Sequence, residues 1–174
     1  SFKGNKAVIG IVGAGNFTSS TLLPNLSKTD ASLKYIADLD GLVAKNMASR
    51  HNIANATSEV SNLLDDEAVD TLMIITRHDA HADLVIQALK ANKNAFVEKP
   101  LAHNIWQLRT LKKAAHHYKV ISQMGNQGHA TDGIRRVKEW YEAGVLGDVK
   151  EILAWFNGPS FGPDKYFNKP EQFP

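Results

Sequence analysis

Residues 7–18 read AVIGIVGAGNFT, an apolar run that ends in a glycine-rich turn. A short, continuous apolar run of this kind is typical of a strand buried on both faces, and a helix is expected from about Phe17. In a dinucleotide-binding turn, the first glycine (here Gly13) permits the tight bend and the second (Gly15) lets a pyrophosphate approach the helix N-terminus. The third position usually holds Gly or Ala, but here it is Thr18. The turn by itself indicates either a nucleotide site or a strand-to-helix turn without a ligand.

A second feature favours the nucleotide. Asp38 lies 23 residues after Gly15, directly after the second predicted strand, Leu33–Ala37. An acidic side chain at this place hydrogen-bonds the adenosine ribose and repels a 2′-phosphate, so we expect NAD rather than NADP. Leu39 follows, and no arginine comes before Arg50. The alternative is an aspartate that only begins a turn, but its spacing from the glycines makes the ribose contact the preferred interpretation.

Strands and helices alternate through the first 147 residues, which predicts an α/β, Rossmann-type doubly wound parallel sheet. Further strands are predicted over residues 70–76, 95–97 and 120–124. Pro24 should kink the first helix or stop it early. Later helices are expected to begin at the capping residues Ser58, Asp79, Asn104 (with Gln107) and Asp132, and the last to end at Gly144 or Gly147. The helix after Asn104 should bury Ile105, Leu108 and Leu111.

The pattern changes after Gly147. Val149–Asn157 is expected to be a longer strand carrying Trp155 and Phe156, and residues 158–174 hold four of the six prolines. We therefore expect an NAD(P)-binding domain over residues 1–147. Residues 148–174 should be the start of a C-terminal α+β domain that the chain does not complete.

Composition excludes several classes of function. The chain has 174 residues, 43% apolar and 22% charged, with a formal net charge of +2. It has no run of basic residues, which argues against nucleic-acid binding, and no apolar stretch near the roughly 18 residues of a membrane span. The absence of cysteine excludes disulfides and thiolate chemistry. We expect a cytoplasmic protein, although a removed export leader would leave the same sequence.

Three polar segments follow predicted strands, where open α/β sheets bind ligands. Thr76–His81 contains two histidines suited to hydrogen bonds with a cofactor; no metal is expected, because further ligands at suitable spacing are missing. Glu98-Lys99-Pro100 places a lysine at a strand end, where it acts either as a general acid or base or as half of an exposed ion pair. Gly125–His129 offers amide side chains to a nicotinamide or a sugar, or is simply a flexible turn.

Taken together, these motifs resemble the Gfo/Idh/MocA family of glucose–fructose oxidoreductase-like and inositol dehydrogenase-like enzymes. The similarity spans about residues 6–157, and its most specific part is Ala88–Pro100, which ends in Glu-Lys-Pro. The resemblance implies an NAD(P)-dependent dehydrogenase that transfers hydride between a nicotinamide and a sugar or polyol hydroxyl. It makes Lys99 the catalytic residue. The expected cofactor contacts are Gly13, Gly15, Asn16, Phe17, Asp38, Leu39, Thr76, Arg77, His78, His81, Glu98, Lys99, Pro100 and Gln127.

Two departures from the family pattern concern the segment after the third predicted strand. Arg77 stands where proline is usual, and His78 where asparagine is common, so the cofactor contacts there are expected to differ in detail.

Family members also carry a C-terminal domain that supplies most of the substrate pocket. We therefore expect this chain to be a truncated piece that binds cofactor, turns over little substrate and, in the whole protein, forms homo-oligomers. Two alternatives remain open: an NAD-dependent glycoside hydrolase of the same fold, and a non-catalytic NAD(P)-binding sensor.

Overall fold

The computed structural model describes residues 6–155. Six strands form one parallel sheet in the order β3-β2-β1-β4-β5-β6, which is the strand order of a doubly wound dinucleotide-binding fold. The strands are β1 (Val8–Val12), β2 (Ser32–Ala37), β3 (Asn55–Thr57), β4 (Thr71–Ile74), β5 (Asn94–Val97) and β6 (Ser122–Met124). This confirms the predicted fold class. The polar strand β3 was not predicted, because three residues without an apolar run carry no strand signal of their own.

The connections between strands are largely helical. They comprise a π-helical turn (Thr18–Leu22), α1 (Leu23–Leu26), α2 (Gly41–His51), α3 (Ser61–Asp65), a 3₁₀ turn (His78–Ala80), α4 (His81–Lys90), α5 (Ile105–Tyr118), a second 3₁₀ turn (Gln127–Ala130) and α6 (Asp132–Glu142). The disturbance expected at Pro24 is present: the wider π turn precedes it, and α1 ends two residues later.

Two apolar clusters cover the two faces of the sheet. Successive residues of a strand point to opposite faces, and Leu72 and Ile74 of β4 belong to one cluster while Met73 belongs to the other. The first cluster includes Val85 and Leu89 of α4 and Leu111 of α5, and the second includes residues of α1 and α2. Burial on both faces explains why the two central strands, β1 and β4, are almost continuously apolar.

Helix starts differ from the sequence predictions in three places. The helix expected after Ser58 begins at Ser61, α4 is capped by Ala80 rather than Asp79, and Asp132 is the first residue of α6 rather than its cap. A short turn precedes α4, and Val60 precedes α3 in helical geometry, so the polar residue nearest in sequence is not at the cap position.

The capping box of α5 is confirmed. Asn104 Oδ1 accepts a hydrogen bond from Gln107 N at 2.9 Å, and Gln107 Oε1 accepts one from His103 N at 2.9 Å. Within α5, Leu111 is buried and Leu108 partly buried, but Ile105 is 63% exposed, because it lies in the first turn beyond the core.

The chain divides into two compact units at the His129–Ala130 boundary. The second unit contains α6, none of whose residues is buried, and the turn after it, where Gly144 adopts φ +70° as predicted for a helix end. The expected strand from Val149 is not formed over residues 149–155; Phe156 and Asn157 lie outside the described residues. A strand requires a hydrogen-bonded neighbour, and the described residues offer none to this segment. None of the helices over residues 6–155 is long and apolar enough to cross a membrane.

Candidate functional site

The candidate site lies at the carboxyl edge of the sheet, where the strand ends are aligned in one row. The register pairs Val12 with Ala37 and with Ile74, and the outer strands continue the same row. The residue after each of five strands donates its N–H to the last carbonyl of a neighbouring strand, with N···O distances of 2.7–3.1 Å. These five residues are Gly13, Asp38, Ile75, Glu98 and Gly125. Main-chain pairing therefore places the glycine turn, Asp38 and Glu98-Lys99-Pro100 along one edge.

The glycine turn is built for close backbone approach. Gly13 has φ +105°, and a Cβ there would lie 2.6 Å from the carbonyl oxygen of Ile75, so no larger residue fits. A Cβ at Gly15 would meet no atom of residues 6–155 within 4 Å, so within this part of the chain the glycine borders open space. Such free space beside the backbone is what a pyrophosphate requires. Thr18, at the third position of the motif, is fully buried, and its hydroxyl donates to the Gly13 carbonyl at 2.6 Å.

Asp38 joins the glycine turn to the end of β2. Its Oδ2 accepts a hydrogen bond from Ala14 N at 2.8 Å, and its Oδ1 accepts one from Asp40 N at 3.0 Å. A carboxylate has about four acceptor positions, so capacity remains for ribose hydroxyls. Sequence analysis treated a turn-forming aspartate and a ribose-binding aspartate as alternatives. The geometry of Asp38 is compatible with both roles at once.

A cleft of about 720 Å³ extends from the glycine turn across the ends of β1, β2 and β4. This volume is within the range of small-molecule and cofactor sites. Eight of the expected cofactor residues line the cleft: Gly13, Gly15, Asn16, Phe17, Asp38, Leu39, Thr76 and Arg77. A free volume beside the glycines and an acidic side chain with spare acceptor capacity fit an NAD molecule.

The sequence did not identify the remainder of the cleft wall. Ser58 and Val60 contribute from the segment after β3, Asp79 contributes from the turn before α4, and Asp83 and Gln87 contribute from α4 itself. Ser58 follows the strand that sequence analysis missed. Strand β3 could have been inferred from the predicted Rossmann fold, because its strand order requires a further strand beside β2.

The Lys99 segment lies at the same edge but does not line the cleft. Lys99 is exposed, the Lys99–Pro100 peptide bond is cis, and Glu98 N donates to the Ile74 carbonyl at 3.0 Å. Gln127 Nε2 donates to Glu98 Oε1, and a Cβ at Gly125 would lie 2.6 Å from the same oxygen. Glu98 thus connects the end of β5 to the turn after β6. The cofactor contacts expected of Glu98, Lys99, Pro100 and Gln127 remain predictions.

The two histidines after β4 differ in environment. His78 is exposed but is not among the residues of the cleft wall. His81 is fully buried, so it offers no surface to a cofactor, and the expectation that it lines the cleft is corrected. It is the first residue of α4, where packing against β4 and β5 turns the ring inward. Its ring lies edge-on to that of His78, with centroids 5.7 Å apart.

Comparison with known proteins agrees with this geometry. Residues 8–126 match the GFO_IDH_MocA family model, described as an oxidoreductase family with an NAD-binding Rossmann fold. The chain is similar to trans-1,2-dihydrobenzene-1,2-diol dehydrogenase of Xenopus laevis, at 30% identity over 87% of this chain and 47% of that protein. It is also similar to myo-inositol 2-dehydrogenase of Thermotoga maritima, at 26% identity over 91% of this chain and 47% of that protein.

Among solved structures, the fold is similar to that of KijD10, a 3-ketoreductase from Actinomadura kijaniata in complex with TDP-benzene and NADP. The TM-score is 0.76 at 23% identity, over 83% of this chain and 46% of that one. The chain spans about half the length of the curated relatives that it matches. Because the family model matches residues 8–126, which is most of the chain, the chain belongs to the Gfo/Idh/MocA oxidoreductase family with an NAD-binding Rossmann fold.

Proposed function

We propose that the protein is an NAD-dependent dehydrogenase that transfers a hydride between a sugar or polyol hydroxyl carbon and the nicotinamide. The observation that carries the proposal is the single row of strand ends, which brings Gly13 and Asp38 to the same edge as Lys99. The two curated relatives named above act, by their names, on a cyclic, non-aromatic vicinal diol and on myo-inositol. A vicinal or cyclic hydroxyl compound is therefore the proposed substrate class.

Each part of the edge has a proposed role. Gly15 leaves room for the pyrophosphate, and Asp38 accepts hydrogen bonds from the ribose hydroxyls with its remaining lone pairs. Bound NAD would supply the hydride acceptor. Lys99 Nζ would take the hydroxyl proton during oxidation and return it during reduction, which is the general-base and general-acid work that a positioned lysine can do.

We propose that NAD is preferred over NADP. The Asp38 carboxylate borders the cleft and would repel a 2′-phosphate beside it. Arg77 also lines the cleft, but the proposal places Asp38, the residue after β2, next to the adenosine ribose. Titration of the 174-residue chain with NAD and NADP, read by isothermal titration calorimetry, should give at least tenfold tighter NAD binding. Equal or tighter NADP binding would contradict the role given to Asp38.

Turnover should be measured on the complete gene product that contains these 174 residues, with NAD and a panel of myo-inositol, aldoses and vicinal diols. We expect NADH formation with at least one cyclic polyol or sugar, and a loss of about 10²-fold or more in Lys99→Met. Lys112→Met, which changes an exposed lysine of α5, is the matched control and should keep full activity. The 174-residue chain alone is expected to bind NAD and to turn over little substrate.

The two alternatives give different results in the same experiments. A glycoside hydrolase of this fold would release the aglycone of a p-nitrophenyl glycoside without added NAD and without net NADH. A sensor would bind NAD equally well with and without Lys99 and would oxidise nothing. Self-association is proposed as well, because the second unit exposes Ile152 and Trp155 by 82% and 81%, and gel filtration over a range of concentrations tests it.

A further inference from the structure

Both ring nitrogens of the buried residue His81 lie within hydrogen-bonding distance of main-chain carbonyl oxygens. Nδ1 is 2.7 Å from the carbonyl oxygen of Pro100, and Nε2 is 3.1 Å from that of Thr76. The ring is fully buried, so water does not compete for these contacts. One imidazole therefore touches the residue after Lys99 and a residue that lines the cofactor cleft.

A carbonyl oxygen only accepts hydrogen bonds, so the ring must donate in each bond that it makes. A neutral imidazole has one N–H and a protonated imidazole has two. Because the Nδ1 contact is the shorter of the two, the donor role toward Pro100 is assigned to Nδ1. His81 Nδ1–H thus bonds the Pro100 carbonyl.

This bond completes a two-sided attachment of Lys99. On the N-terminal side, Glu98 N donates to the Ile74 carbonyl at 3.0 Å. On the C-terminal side, the Pro100 carbonyl is held by His81, whose helix is anchored in the core through the buried residues Val85 and Leu89. Between the two attachments, the side chain of Lys99 is exposed. Its main chain is therefore fixed, while its amine is accessible.

We propose that His81 is a positioning residue for Lys99, acting through the Pro100 carbonyl. This rests on the proposed function, because the position of Lys99 matters only where Lys99 takes part in proton transfer. His81 touches neither cofactor nor substrate in this role. A displacement of about 1 Å in a reacting group costs on the order of 10²-fold in rate, so the loss of the bond should be measurable.

The bond itself can be tested on the 174-residue chain without any activity. Two-bond ¹H–¹⁵N spectra of ¹⁵N-histidine-labelled protein distinguish protonated from unprotonated ring nitrogens, and the signal missing in His81→Asn assigns His81. We expect a protonated Nδ1 in slow exchange with water. An unprotonated Nδ1 would overturn the proposal. In His81→Leu, ¹⁵N relaxation should show greater motion of the Lys99 amide; an unchanged Lys99 amide would also overturn it.

Matched substitutions separate the two contacts. The amide of Asn places its nitrogen near the former Nδ1, and that of Gln near the former Nε2. In the complete gene product, with the substrate found above, His81→Gln and His81→Leu should lower kcat about 10- to 100-fold, whereas His81→Asn should keep most of it. Equal losses in the Asn and Leu variants at unchanged melting temperature would contradict the proposal.

A double-mutant cycle with Lys99 distinguishes an effect of His81 that acts through Lys99 from one that is independent of it. If His81 acts through Lys99, His81→Leu should cause no further loss of turnover in a Lys99→Met background, and additive losses would contradict the proposal. If no substrate is turned over at all, the proposed function fails, while the two NMR measurements still decide whether His81 holds the Lys99 segment.

Discussion

At the scale of single residues, the edge of the sheet combines positions that tolerate one residue type with positions that are open. Gly13 is constrained by its φ and by the Ile75 carbonyl, whereas a Cβ at Gly15 would meet no atom of the described residues within 4 Å. Thr18 shows how a bulkier residue is accommodated at the third position of the motif: it is buried, and its hydroxyl satisfies the Gly13 carbonyl. The same motif therefore serves folding at one glycine and ligand access at the other.

Substitution of the two glycines by alanine should separate these requirements. Gly13→Ala forces a side chain into a region unfavourable for L-residues and onto a carbonyl 2.6 Å away, so we expect a loss of about 1–3 kcal/mol in the free energy of unfolding. Gly15→Ala should unfold like the parent chain but bind NAD at least tenfold more weakly. Urea denaturation and NAD titration measure the two effects. A Gly15→Ala chain with unchanged affinity would exclude close approach of the cofactor there.

At the scale of elements, a strand or helix could be predicted from sequence only where its own residues carry an apolar pattern or a capping motif. Strands β1, β4 and β5 are largely apolar and β2 ends in the apolar residues Tyr35, Ile36 and Ala37, and α5 carries its cap at Asn104 and Gln107, so all of these followed from sequence. Strand β3 did not, because its three residues become a strand only through pairing with β2. The burial of His81 also escaped prediction, since a histidine after a strand is equally compatible with a cleft wall and with the core.

An ion pair ties β2 to the loop after α3. Lys34 Nζ lies 2.6 Å from Asp66 Oδ2, and the bond from Lys34, followed by one from the Ala68 N–H, holds the pKa of the Asp66 carboxyl below its ordinary value. The same carboxylate, by its interaction with the Tyr35 hydroxyl, raises the pKa of that tyrosine. The carbonyl of Asp66 also accepts from Lys93 Nζ at 2.7 Å. Asp66 therefore connects β2 to the residue that precedes β5.

The sign of the pH effect follows from that lowered pKa. A carboxyl whose pKa falls on folding stabilises the folded chain above its unfolded-state pKa, and that stabilisation is lost as the pH falls through the folded-state value. We expect Asp66→Asn to be less stable than the parent at pH 7 and the difference to shrink below about pH 4. Denaturation of both chains from pH 7 to pH 3 checks this, with Asp65→Asn as the neighbouring control. A difference independent of pH would show that the charge is not the cause.

At the scale of the whole molecule, a cofactor that binds only the folded chain must raise its melting temperature. With NAD at about 100 times its Kd, the gain is about 2.7 kcal/mol, or roughly 5–10 °C for a domain of this size. Differential scanning fluorimetry of the 174-residue chain measures the shift. Asp38→Ala should reduce it, whereas Leu42→Ala, an exposed position on α2, should not. A parent chain that melts at the same temperature with and without NAD would contradict cofactor binding by this domain.

The aligned strand ends have a consequence for altering this protein. The five bonds that order the row are made by main-chain groups, which all residues except proline provide, so these bonds do not depend on the side chains of Asp38 and Lys99. Redesign of cofactor preference at Asp38, or of the reacting group at Lys99, should therefore leave the strand order intact. Selection could in the same way have exchanged chemistries at this edge while the sheet beneath it stayed constant.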